Sequence, residues 1–132
     1  GGLPGCEMGM KLTGGWRKMN IFEAGKIGHD VGSSERFIVR NTFKKADDVE
    51  MHEKSRVVSI TDSGVYAVNE NGEEDFYEAN TVAVTLGFKE NRELYEQIKD
   101  LAPQVFIVGD CNEPKRMADA TKAGYRAAAR IR

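Results

Sequence analysis

Cysteine, histidine and proline are all scarce in this 132-residue chain, with two, two and three copies. Cys6 and Cys111 form no C-x-x-C pair, so neither a redox disulfide nor a cluster site is expected, and both are predicted to be packing residues in a reducing compartment. His29 and His52 have no further ligands at useful spacing, which argues against a zinc site and favours solvated positions. We therefore predict a cytoplasmic protein without a metal of its own in this chain.

Long apolar runs and an excess of one charge are also missing. No apolar stretch approaches the roughly 20 residues that cross a bilayer, and no signal-peptide pattern is found. Lys and Arg total 19 against 21 Asp and Glu, a formal charge of −2 that favours neither nucleic acid nor a membrane as partner. With 40% hydrophobic and 30% charged residues, the composition is that of a soluble globular chain about one domain long.

Glycine, in contrast, is concentrated at one end. Six of the fourteen glycines lie in the first fifteen residues: Gly1, Gly2, Gly5, Gly9, Gly14 and Gly15. They lie within and on both sides of a predicted helix at residues 4–12, which precedes a predicted strand at residues 18–24. The single tryptophan, Trp16, is expected to cover that first helix.

These glycines fit part of a dinucleotide-binding fingerprint. That motif needs one glycine where the backbone approaches the pyrophosphate, another where the helix packs on its strand, and an acidic residue about 20 positions later for the ribose. Gly2 and Gly5 match the later two glycines, and Glu23 matches the acid. The first glycine and its strand would lie upstream of residue 1. A plain glycine turn is the alternative interpretation.

The next part of the chain predicts a helix and then mainly strands. The helix runs from Ser33 or Ser34, as a side-chain cap, to Lys45. Strands are predicted at residues 49–52, 56–60, 65–68 and 76–77. Asn71-Gly72 predicts a two-residue hairpin, and the last three strands are expected to form a three-stranded antiparallel meander.

Two runs that are rich in small and β-branched residues, 81–87 and 105–109, predict strands buried on both faces of a parallel sheet. Helices are predicted at residues 92–100 and 118–131, with Arg132 among the positive charges that suit the end of the last one. The fold class is therefore α/β: a Rossmann-like three-layer parallel sheet with an antiparallel β-meander, its first strand absent from the chain. Residues 105–108 are expected to fill the vacant sheet position beside the strand that contains Ile21. Asp110, just after the second run, either binds a sugar hydroxyl or caps a turn.

Taken in order, these motifs resemble a known family. Residues 1–7, the strand ending in Glu23, residues 82–95, and residues 105–111 followed by 118–128 together are similar to the C-terminal region of old yellow enzyme-like NADH:flavin oxidoreductases, of the 2,4-dienoyl-CoA reductase and trimethylamine dehydrogenase type. In that family a barrel carries FMN and a [4Fe-4S] cluster. The C-terminal region resembles disulfide reductases, with an NAD(P)-type domain inserted into an FAD-type domain.

The resemblance implies two domains and a set of cofactor-binding residues. Residues 1–88 would form the NAD(P)-binding domain, incomplete at its N-terminus, and residues 89–132 the returning C-terminal segment of the FAD-binding domain. Glu23 would bind the adenosine ribose and favour NADH, because a carboxylate repels a 2′-phosphate. The other implied NAD(H) residues are Gly1, Gly2, Leu3 and Gly5; those near FAD or the domain exit are Gly87, Gly109, Asp110, Met117 and Ala118.

The implied activity is the positioning of NADH for hydride transfer to flavin within a larger oxidoreductase. No residue here is a convincing acid, base or nucleophile, so none is predicted to be catalytic, and the chain alone is expected to be inactive. Its partners would be NADH, FAD, the rest of the FAD domain and the FMN barrel. Three positions depart from the family: Glu90 replaces a usual proline, Asn80 a common aspartate, and Gly9 a usual alanine. The alternative function is a nucleotide-fold interaction module that has lost its ligand.

Overall fold

The computed structural model describes residues 1–15 and 17–131. The expectations for Trp16 and Arg132 fall outside the described residues. The chain divides into two compact units, Gly1–Leu86 and Gly87–Arg132.

The first unit begins with two helices and two strands in alternation. These are α1 (Leu3–Leu12), β1 (Met19–Glu23), α2 (Ser33–Lys45) and β2 (Val49–Glu53), close to the predicted bounds. Strands β1 and β2 pair in parallel, with Ile21 opposite Met51. The predicted serine cap of α2 is wrong: Gly32 is the N-cap residue and no side chain caps the helix.

The core of the first unit lies between the helices and one face of this parallel pair. Its buried residues are Cys6, Ile27, Val39 and Phe43, with Met10, Ile21, Val49 and Met51 packed against them. A Cβ on Gly9 of α1 would lie 2.9 Å from the Phe43 ring. Glycine at position 9 therefore lets α1 approach this ring closely.

Three further strands form the predicted antiparallel meander. They are β3 (Arg56–Thr61), β4 (Gly64–Val68) and β5 (Glu74–Glu78), hydrogen-bonded in the order β3-β4-β5. The predicted two-residue hairpin loop at Asn71-Gly72 is wrong, because the loop between β4 and β5 is longer and comprises residues 69–73. The Asn69 side-chain oxygen organises this longer loop by accepting the N–H groups of Asn71 and Glu73, at 2.9 and 3.1 Å.

The two β-branched runs predicted as buried strands do not form strands. Neither residues 81–87 nor residues 105–108 join a sheet, and Val84 and Leu86 are 61% and 93% exposed. A central parallel strand needs hydrogen-bonded neighbours on both sides, and in the described part of the chain β1 and β2 form the only parallel pair. Residues 105–108 consequently do not complete the sheet beside Ile21.

The second unit contains α3 (Glu93–Ile98), a short 3-10 helix (Gly109–Cys111) and α4 (Met117–Ala128). Arg92 Nη2 donates to the Asn112 carbonyl at 2.9 Å and so joins the start of α3 to the loop after the 3-10 helix. Within residues 87–131 no side chain is buried. No helix in the described ranges is both long and apolar enough to span a membrane.

Candidate functional site

The start of α1 and the end of β1 meet at the predicted site. A Cβ added to Gly1 would lie 2.5 Å from both Cβ and Oε2 of Glu23, whose side chain is 18% exposed. Glycine is therefore required at position 1 for this approach. The structure thus places Gly1, which the resemblance implied, against the predicted acid, whereas Gly2 and Gly5, which the spacing selected, face Asp30 and Thr85.

The loop after β1 folds back over the same place. Gly28 donates its N–H to the Gly1 carbonyl at 2.8 Å. The two carboxylate oxygens of Asp30 accept the Leu3 N–H at 3.0 and 3.1 Å, and a Cβ on Gly2 would lie 2.9 Å from Asp30 Oδ2. Sequence reasoning missed Asp30, because nothing in its neighbourhood signals a contact 27 residues away.

A half-buried ion pair between Arg40 and Glu53 holds this loop. Glu53, opposite Glu23 in the register, accepts the Ile27 N–H at 2.8 Å. Arg40 of α2 binds both Glu53 oxygens, with Nη2 to Oε2 at 3.0 Å, and its Nη1 donates to the Ile27 carbonyl at 3.4 Å. The hydrogen bonds from Arg40 hold the pKa of the Glu53 carboxyl below its usual value, so Glu53 is ionised at neutral pH. No sequence motif indicates this pair.

A second arginine of α2 fixes the end of the loop. Arg36 Nη2 donates to the carbonyls of His29 and Val31 at 2.9 and 3.0 Å. These two carbonyls flank Asp30 in sequence. The backbone around Asp30 is therefore held by contacts that do not depend on the bond from Asp30 to Leu3.

The remaining predicted residues of the first helix contribute packing. A Cβ on Gly5 would lie 2.7 Å from Thr85 Oγ1. Cys6 is fully buried, and its Sγ donates to the Gly1 carbonyl at 3.3 Å. Burial raises the pKa of the Cys6 thiol, and the Asp30 and Glu23 carboxylates raise it further. A protonated thiol in this position packs and does not act as a nucleophile.

The opposite face of the parallel pair carries an aromatic cluster. The His52 ring stacks on Phe22 with centroids 4.6 Å apart, and Tyr77 of β5 meets both rings edge-on. His52 Nε2 lies 2.9 Å from Asn20 Oδ1. The predicted solvated position of His52 is wrong: the cluster covers the ring, and burial lowers the pKa of His52. The neutral ring is therefore favoured, and we assign it a packing role.

The predicted residues of the second unit gather around the start of α4. Gly109 has φ +72°, a conformation that favours glycine, and a Cβ there would lie 3.7 Å from the Ala120 Cβ. Asp110 is exposed, as are Met117 and Ala118 in the first turn of α4. Gly87, at φ +84°, begins this unit.

Cys111 also belongs to the second unit, and its predicted packing role is wrong. Its side chain is exposed, and Sγ donates to the Val108 carbonyl at 3.0 Å. With no buried residue in residues 87–131, there is no core there for a thiol to fill. Across the described residues, no cluster of three or more His, Cys, Asp or Glu could hold a metal ion.

Comparison with known proteins gives relatives among much longer reductases and oxidases. No family model matches the chain. It is 28% identical over 123 residues to a metal reductase of Desulforamulus reducens, 27% over 137 residues to a cinnamate reductase of Clostridium sporogenes, and 29% over 133 residues to an NADH oxidase of Thermoanaerobacter brockii. The matches cover 92%, 99% and 99% of this chain but only 18%, 20% and 20% of those proteins.

Two solved structures share the fold. A 2-naphthoyl-CoA reductase in complex with 2-naphthoyl-CoA matches 96% of this chain and 18% of its own, with TM-score 0.71 and 25% identity. A 6-hydroxypseudooxynicotine amine oxidase of Pseudomonas geniculata N1 matches 86% of this chain and 18% of its own, with TM-score 0.72 and 24% identity. The α/β arrangement described above is therefore also found as a minor part of larger proteins.

Proposed function

We propose that this chain is the dinucleotide-binding part of an NADH-dependent flavin oxidoreductase of the old yellow enzyme-like type. Residues 1–88 would hold NADH in a Rossmann-like domain, and residues 89–132 would contribute to an FAD site. The observation that carries the proposal is the approach of Glu23 to Gly1, which leaves no room for a Cβ at the start of α1. Similarity to the metal reductase, the cinnamate reductase and the NADH oxidase supports an oxidoreductase as the parent protein.

The residues at the start of α1 fit the parts of NADH that they would contact. The N-terminus of a helix favours an anion, and the Leu3 N–H already donates to the Asp30 carboxylate. The pyrophosphate would lie along Gly1, Gly2, Leu3 and Gly5. The Glu23 carboxylate would accept hydrogen bonds from the adenosine ribose and would repel the 2′-phosphate of NADPH.

The second unit would contact FAD through the cluster around α4. Asp110 would hydrogen-bond the ribityl or phosphate region, and Met117 and Ala118 would present the helix N-terminus to the same cofactor. Gly109 would supply the turn before Asp110, and Gly87 would mark the exit from the NADH domain. FMN and the [4Fe-4S] cluster would belong to other parts of the parent protein, together with the rest of the FAD domain.

The role of this chain would be positioning. When bound, the nicotinamide supplies a hydride and the flavin accepts it, so the cofactors carry the redox step. The chain's residues would bind the dinucleotide and orient it. The isolated chain would then bind NADH without oxidising it.

Replacement of Glu23 tests this function. In calorimetric titrations we expect the parent chain to bind NADH more tightly than NADPH. Glu23→Ala should weaken NADH binding about tenfold, because hydrogen bonds to a charged acceptor are lost, and should reduce the preference for NADH over NADPH. Glu78→Ala, at an exposed glutamate ending β5, is the matched control and should change neither affinity. The proposal is wrong if Glu23→Ala binds both nucleotides as the parent chain does. Absence of binding by the parent chain would favour the ligand-free interaction module.

A further inference from the structure

The carboxylate of Asp30 occupies a position that an anionic ligand of the proposed site would need. Both its oxygens lie within hydrogen-bond distance of the Leu3 N–H, at 3.0 and 3.1 Å. Pro4 has no N–H, and the Cys6 N–H donates to the Gly2 carbonyl at 2.9 Å. The start of α1 consequently offers few donors, and the loop after β1 uses one of them.

The fold delivers this carboxylate through an anchored loop. Gly28 is bonded to Gly1, Arg36 holds the carbonyls on both sides of Asp30, and the Arg40–Glu53 pair holds Ile27. Asp30 itself is exposed. A hydrogen bond in contact with water is easily exchanged for another, so the loop can stay in place while the side chain moves aside.

We propose that Asp30 is a built-in competitor that sets the affinity of the site for a dinucleotide. The inference rests on the proposed function: if the pyrophosphate of NADH uses the Leu3 N–H, it must first displace the Asp30 carboxylate. Asp30 also places a negative charge next to the incoming phosphates, in addition to that of Glu23. Both effects weaken binding, and both disappear when the carboxylate is removed.

Two alanine variants of the complete 132-residue chain separate this role from a general effect of charge. Asp30→Ala removes the competitor. Asp48→Ala is the matched control, because Asp48 Oδ2 accepts the Gly14 N–H at 3.0 Å, just beyond the other end of α1. Each variant removes one negative charge and a carboxylate that accepts a backbone N–H at one end of α1. In titrations with NADH we expect Asp30→Ala to bind about two- to fivefold more tightly than the parent chain, and Asp48→Ala to bind as the parent chain does.

A second measurement needs no nucleotide. The amide proton resonance of Leu3 should shift in the Asp30→Ala variant, because its hydrogen bond to a carboxylate is lost, and should not shift in Asp48→Ala. An unchanged Leu3 resonance in Asp30→Ala overturns the inference. Equal or weaker NADH binding by Asp30→Ala also overturns it and leaves the proposed function intact. Failure of all three chains to bind NADH overturns the proposed function itself, and the inference with it.

Discussion

Both units of the chain contain helices that carry apolar residues, but among the described residues only the first unit has buried side chains. In residues 1–86 the helices cover a core in which Phe43 and Ile27 are 1% and 0% exposed. In residues 87–131 no side chain is buried, and Leu94 of α3 and Tyr125 of α4 are 66% and 79% exposed. Apolar spacing thus specifies where a helix forms and which face is apolar, but the covering surface must come from elsewhere in the fold.

Truncating one apolar residue in each unit should give the largest contrast. Phe43→Ala removes a ring enclosed by α1 and β1 and should lower the free energy of unfolding by about 3–5 kcal/mol. Leu94→Ala removes an exposed side chain and should change it by less than about 0.5 kcal/mol. Urea unfolding followed by circular dichroism measures both values. Similar losses in the two variants would mean that the second unit has a core of its own.

An ion pair from each unit gives the next contrast. Glu53→Gln weakens the bonds to Arg40 and the Ile27 N–H and should cost about 1.5–3 kcal/mol at neutral pH. Folding lowers the pKa of Glu53, so its contribution is complete above the ordinary glutamate pKa of about 4.3 and is lost as the pH falls through the lowered value. The difference between the parent chain and Glu53→Gln should therefore shrink on acidification.

The control for that experiment is Glu113→Gln in the second unit. Glu113 forms an exposed salt bridge with Lys115 at 2.8 Å, and such pairs contribute little in water. We expect no measurable change in unfolding at any pH. A loss in Glu113→Gln equal to that in Glu53→Gln, or a Glu53→Gln effect that grows on acidification, would contradict the assignment.

Alanine substitutions at two helix glycines give the smallest contrast, and their effects on stability should have opposite signs. Gly9→Ala should destabilise the chain by about 1 kcal/mol, because the new Cβ would meet the Phe43 ring at 2.9 Å and outweigh the gain in helix propensity. Gly124 of α4 has no neighbouring atom within 4 Å of the added Cβ, so Gly124→Ala should stabilise its helix by about 0.5–1 kcal/mol. The free energy of unfolding measures the effect of Gly9→Ala, and amide exchange in α4 measures the effect of Gly124→Ala. Effects of the same sign in both variants would contradict the packing described.

Local patterns predicted most elements of the first unit. Helix α1, strand β1, helix α2 and the meander follow from apolar spacing and turn residues within each segment. Residues 81–87 have the composition of a strand, but a strand also needs hydrogen-bonded neighbours, which composition does not supply. Their assignment as a strand failed for that reason.

In the candidate site, too, a local motif predicted some residues and missed others. A known spacing selected Gly2, Gly5 and Glu23, and the resemblance added Gly1, which lies against Glu23 in the structure. Asp30 and the Arg40–Glu53 pair act on the loop through contacts between residues 13 to 27 positions apart. Such contacts depend on how α2 and β2 pack, so no local motif could reveal them.

Mapping NADH binding onto the two units tests whether residues 1–88 hold the dinucleotide. NADH would be titrated into the isotopically labelled chain while the backbone amide resonances are followed. We expect saturable shifts at Gly2, Leu3, Glu23 and the loop of residues 25–31, with residues 87–131 unaffected. Shifts confined to residues 87–131, or none at saturating NADH, would contradict it.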